Sequence, residues 1–123
     1  MTDSRYNDNK NEILERRMLV FAANVIKKLE TTRGLSLRIA DQLIRSCSSV
    51  GANYCEANNA ASKADFKNKI FIAKKEAAET KYWIDLVIEL TNEQSWREQR
   101  QESQELLMIL QAIINTMKEN STK

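Results

Sequence analysis

The chain has 123 residues, 42% hydrophobic and 29% charged, with two glycines, no proline and no histidine. That length allows one domain with a core of its own and not two, and so few turn residues exclude a β-rich fold. A net charge of +2 excludes a strongly basic nucleic-acid arm, while the missing histidine removes Ser-His-Asp and Cys-His catalysis, His-bearing zinc sites and Glu-x-x-His di-iron sites.

Residues 1–8 are polar and read as a disordered tail, followed by a single domain over 9–120. The first periodic segment runs from about Asn9 to Thr31, with Leu14, Met18, Phe21, Ala22, Val25 and Leu29 stepping by three and four. Gly34 then offers a left-handed stop. Its apolar run, Met18 to Ala23, is short and flanked by arginines and Asn24, and nowhere do ~18 apolar residues follow one another, so no membrane partner is expected. The second segment runs from about Ser36, a candidate N-cap, to Asn58, with Ile39, Leu43, Cys47, Val50, Tyr54 and Ala57 on one stripe. Asn58 and Asn59 are its expected left-handed end.

The third segment opens at Ser62-Lys63-Ala64-Asp65, a capping-box-like signal. It continues to about Thr91 through Phe66, Ile70, Ala73, Ala77, Ile84 and Ile88. The fourth opens at Ser95-Trp96-Arg97-Glu98, a full capping box, and ends near Asn120. Leu106, Leu110, Ile113 and Met117 form its seam, supported by Leu107 and Ile114. Its start, Arg97 to Glu105, is nearly all polar and is expected to project into solvent or fray. Breaks of about three to six residues favour antiparallel neighbours. The expected fold is all-α, an antiparallel up-down-up-down four-helix bundle with helices about 30–45 Å long.

Helices 1 and 4 are apolar over a wider arc than the ~100° that a bundle helix needs. Met18, Leu19, Met108, Ile109 and Ala112 are therefore candidate oligomer-interface residues, the alternative being that loops and tails cover the surplus. Charge is also uneven. Residues 63–75 carry five lysines against Asp65, and residues 76–105 carry eight acids against three bases. Lys63, Lys67, Lys74 and Lys81 share one side of helix 3. With Arg38 and Arg45 they are candidate contacts for RNA, DNA or an acidic partner, set against a plain solvated lysine face.

Gln42, Ser49, Asn53 and Glu56 extend Arg38 and Arg45 into a polar stripe on helix 2, and Glu76 and Glu79 approach Glu56 across the same groove. Three carboxylates without histidine make no convincing metal site, so neither metal nor cofactor is expected. Cys47 and Cys55 lie about 12 Å apart on one helix, too far for a disulfide. Cys47 reads as core, Cys55 as exposed, and the thiols as reduced in a cytoplasmic protein.

The segments Arg45-Ser-Cys-Ser-Ser-Val-Gly-Ala-Asn-Tyr-Cys-Glu-Ala57, Ser62-Lys-Ala-Asp-Phe66 and Ile72-Ala-Lys-Lys-Glu-Ala-Ala-Glu-Thr-Lys-Tyr-Trp-Ile84 resemble the bacterial four-helix-bundle family that includes proteins encoded in intervening sequences of 23S rRNA genes. The resemblance covers residues 40–90 well, and helices 1 and 4 only in apolar pattern. It implies a left-handed bundle, often assembled into a ring-like pentamer, and kinship with the nucleic-acid-binding accessory protein of diversity-generating retroelements. It implies no catalytic activity. Asn53, Glu56, Ser62, Phe66, Glu76, Glu79, Tyr82 and Trp83 match the family pattern. Ser62 serves as a cap, Phe66 in packing, and Gly51 in close helix approach. The expected function is a non-enzymatic homo-oligomeric scaffold or adaptor, with an RNA- or DNA-binding accessory protein as the alternative.

Overall fold

Serine and glycine punctuation sets where the chain turns. In the computed structural model, which describes residues 2–121 with side chains from Asn9 to Asn120, the elements are α1 (Thr2–Thr31), α2 (Leu37–Asn58), α3 (Lys63–Thr91), a 3-10 turn (Gln94–Trp96) and α4 (Arg97–Ser121). The tail expected over 1–8 lies outside the described side chains, although the helical backbone of α1 reaches back to Thr2. Gly34 takes φ 76°, as its missing Cβ allows. Ser36 accepts from the Arg38 N–H to cap α2, and Ser62 accepts from the Asp65 N–H at 3.0 Å to cap α3.

Two helix ends differ from expectation. Asn59 is not left-handed (φ −110°). Its side-chain Nδ2 instead donates to the Cys55 carbonyl at 2.8 Å, satisfying one of the carbonyls left open at the helix end. The left-handed asparagine is Asn92, φ 58°, which stops α3 with its N–H on the Ile88 carbonyl. The chain also enters α4 through the 3-10 turn rather than on a Ser95 capping box, because Trp96 swings inward to complete burial. Its indole N–H donates to Thr32 Oγ1 at 3.3 Å, and the Lys28 ammonium lies 5.5 Å from the ring centroid.

Cross-helix contacts give the topology. Met18 meets Gly51, Arg45 meets Glu76 and Glu79, Lys81 meets Gln104, and Arg17 meets Glu102. Each helix therefore runs against the next, and α4 returns beside α1 in an up-down-up-down bundle, with α1 diagonal to α3 and α2 diagonal to α4. Leu43, Ile70, Ile84, Leu106, Leu110 and Ile114 are fully or almost fully buried on the axis, each contributing about 1.5–3 kcal/mol relative to exposure. Ile114, not Ile113, carries the α4 seam, while Ile113 and Met117 border it.

Small groups let α2, α3 and α4 approach closely. Buried Ser103 donates to the Ala77 carbonyl across α3 and α4 at 3.0 Å, and buried Thr80 returns its hydroxyl to Glu76 O. Ser103 and Arg100, the latter paired with Asp85, pin the polar start of α4 that was expected to fray. Gly51 lets α1 close on α2, since a Cβ there would stand 3.2 Å from Met18 Cβ. The fourth seam, α1 against α4, is the sparsest of the set.

Candidate functional site

Arg45 extends from the outer face of α2 into the α2–α3 groove. Its Nη1 lies 3.1 Å from Glu76, its Nη2 pairs with Glu79, and its Nε donates to Gln42 Oε1. Farther along, Ser49 donates to the Arg45 carbonyl and Asn53 to the Ser49 carbonyl, both at 2.8 Å. Glu56 turns away from Glu76 and Glu79 to Lys69, at 2.9 Å, and this contact raises the Lys69 pKa, chiefly through the hydrogen bond. The expected stripe is thus present, but Arg45 and Glu56 are engaged by charges on α3, while Arg38 stays exposed. Among the described residues no three metal-ligating side chains converge.

The basic candidates divide. Arg45 is occupied by two carboxylates, and Lys81 donates to Gln104 Oε1 at 2.8 Å. Arg38, Lys63, Lys67 and Lys75 are exposed, and Lys74 is half-buried. Lys75, Ala78 and Tyr82 are exposed on the side of α3 turned away from the bundle axis, whereas Phe71 packs partly against the core and Lys63 and Lys67 border a cavity with Met117 and Asn120 of α4. Tyr82 is 61% exposed and stands edge-on to Trp83, with ring centroids 5.3 Å apart at 75°.

A long groove follows the sparse α1–α4 seam. Its upper part, a cavity of about 600 Å³, is walled by Arg17, Val20, Asn24, Glu98, Glu102 and Glu105. Its lower part, about 730 Å³, has Ile13, Leu14, Ile109, Ala112, Ile113 and Thr116 in its walls. Arg17 clasps the seam between them. Nε and Nη2 reach the two Glu102 oxygens at 2.8 and 2.7 Å, and Glu105 lies at 3.5 Å. The hydrogen bond to Glu102 is the main cause of a raised Arg17 pKa. Gln99 also lines the upper cavity, and its carbonyl oxygen is buried with no hydrogen-bond donor in reach.

Of the five interface candidates, Met18 is corrected outright. It is completely buried against α2 and forms part of no surface. Leu19 (61% exposed) and Met108 (59%) are surface residues, Ala112 is exposed, and Ile109 is half-buried in the groove wall. The sequence reading missed Ile13 (61%) and Val20 (40%) on the α1 edge of the groove. Their seven-residue spacing on the side away from Met18 was the available signal.

Neither cysteine offers a reactive thiolate. Burial pushes Cys47 up to about 12. Cys55 is half-buried rather than exposed, and burial together with its hydrogen bond to Glu15 pushes it up to about 11. Among the described residues no helix is long and apolar enough to cross a membrane.

A family model described as 23S rRNA-intervening sequence protein matches residues 10–112, from near the start of the described side chains of α1 through most of α4. No curated protein gives a significant match. Among solved structures, a protein of unknown function from the S23 ribosomal protein family of Bacteroides thetaiotaomicron is 32% identical, with a TM-score of 0.77. The similarity covers 86% of this chain and 98% of that one.

Proposed function

The chain belongs to the 23S rRNA-intervening sequence protein family, and from that membership we propose that it acts as a non-enzymatic, homo-oligomeric helical-bundle scaffold in the cytoplasm. The carrying observation is the apolar surface on α1 and α4. Ile13 and Val20 stand 61% and 40% exposed along a groove that the fold itself leaves open, and Met108, 59% exposed, adds an apolar group on the outer face of α4. Apolar side chains grouped in this way mark interaction surfaces. The site chemistry supports binding over catalysis, because the carboxylates are engaged by Arg45, Lys69 and Arg17 and both thiols are held protonated. The two free thiols fit a reducing compartment.

Light scattering on the purified chain at micromolar concentration tests the reading. The expected mass is a multiple of 14.2 kDa, and a single-chain mass overturns it. The exposed Lys63, Lys67 and Lys75, with no acidic partner among the described residues, favour structured RNA or DNA as a second reading. A mobility shift falling steeply across a salt series supports that reading, and no shift at low salt removes it.

A further inference from the structure

We propose that the lower cleft between α1 and α4 binds a single-chain amphiphile with an anionic head, a medium-chain carboxylate taken from solution. The proposal goes beyond the homo-oligomer reading and does not depend on it. The cleft, about 730 Å³, falls within the ~300–1,000 Å³ of small-molecule sites, which helical bundles hold between their helices. All four helices line it, Tyr54 of α2 and Phe66 of α3 joining Leu14 of α1 and Ile113 of α4. Leu14, Phe66, Ile109 and Ile113 pack against the core yet are only partly buried. The bundle therefore leaves apolar area at this end for another group to cover.

Charge selects the head. Among the described residues the cleft lining holds Lys10 and Arg17 and no carboxylate, whereas the upper cavity holds Glu98, Glu102 and Glu105. Arg17 is already clasped by Glu102 and Glu105. Lys10, exposed and unpaired among the described residues, is left as the partner for an anion. Its neighbour Asn11 accepts from the Tyr54 hydroxyl through Oδ1 at 3.1 Å, so Nδ2 is the atom left to donate. A carboxylate only accepts, which suits both groups. The two donors share one end of the cleft, and the apolar walls run from there toward Arg17, about 10 Å along α1 at 1.5 Å per residue. A seam between helix walls admits one dissolved chain, where a membrane surface would need an open face.

The experiment is titration calorimetry on the full chain with hexanoate, octanoate and decanoate, with light scattering on the same samples. Affinity is expected to rise about fourfold per added methylene, the ~0.8 kcal/mol of burying one CH₂, until the chain outruns the cleft. Decanol and decyltrimethylammonium are expected to bind more weakly than decanoate by at least about tenfold, as is decanoate to Lys10→Glu. Ala112→Trp, at an exposed position on the cleft wall, is expected to block binding by bulk, with helix content unchanged by far-UV dichroism. Lys63→Glu with Lys67→Glu, at the separate hollow beside Met117, is expected to bind as the parent does. No heat with decanoate overturns the proposal, and so does equal binding of the neutral or cationic amphiphile. Loss of binding in the Lys63, Lys67 variant, or cosedimentation with phosphatidylglycerol vesicles in place of decanoate binding, also overturns it. Decanoate binding by single chains alone, and not by an assembled form, assigns the cleft to a second copy and overturns it too. A parent mass of one chain with decanoate bound fails the homo-oligomer reading and leaves this site standing.

Discussion

The Cys55 thiol shows how a single neighbour sets side-chain chemistry. Its Sγ lies 3.0 Å from Glu15 Oε1, and Glu15 Oε2 accepts from Asn58 Nδ2 at 3.3 Å, so one carboxylate joins α1 to the end of α2. Burial raises the thiol pKa first, and Glu15 raises it further. Glu15→Gln is expected to speed iodoacetamide alkylation of Cys55 at pH 8, by up to about tenfold for each unit that the pKa falls. Site-resolved mass spectrometry checks this, and an unchanged rate removes Glu15 from the explanation. Both thiols bind their proton more tightly in the folded chain than in the unfolded one, where the ordinary value is 9.0. The stability they contribute is complete below that value and is lost as pH rises toward about 11 and 12.

Helix ends are where sequence pattern and structure diverge most. The buried stripes of α1 and α2 were readable because apolar spacing of three and four admits one inward face, and Ser36 and Ser62 cap as their side chains suggest. The asparagine pattern pointed to Asn58 and Asn59, yet the left-handed residue is Asn92, since the Asn59 side chain satisfies a carbonyl without inverting the backbone. Asn92→Gly is expected to keep or slightly raise stability, and Asn92→Val to cost about 1–2 kcal/mol, because a β-branched residue resists positive φ. Urea midpoints measure both, and equal midpoints contradict the argument. The charged groove was legible as residue types but not as pairs. Whether Glu56 faces Glu76 or Lys69 depends on the α2–α3 register, and that is set by packing at Ala73, Ala77 and Ser46 rather than by any local signal. The polar start of α4 misled for a similar reason. Its anchors, Trp96 and Ser103, act through tertiary contacts that periodicity does not encode.

Three tight seams and one loose one make the bundle mechanically uneven. The α1–α4 side is held by a bidentate Arg17–Glu102 pair, 37% and 28% exposed, above an open apolar channel; an exposed pair of this kind contributes about 1 kcal/mol or less. The α1 amides are expected to lose their protection before those of α2 and α3. Hydrogen exchange followed by mass spectrometry reads the order, and equal loss along all four helices would place the weak side elsewhere. Trp96 sits at the end of this seam, sealed from solvent, joined by hydrogen bond to Thr32 and covered by Lys28. An indole so enclosed emits at shorter wavelength than a wetted one. With Trp83 on α3 as the only other tryptophan, the protein carries an optical gauge at the place where α1 parts from α4.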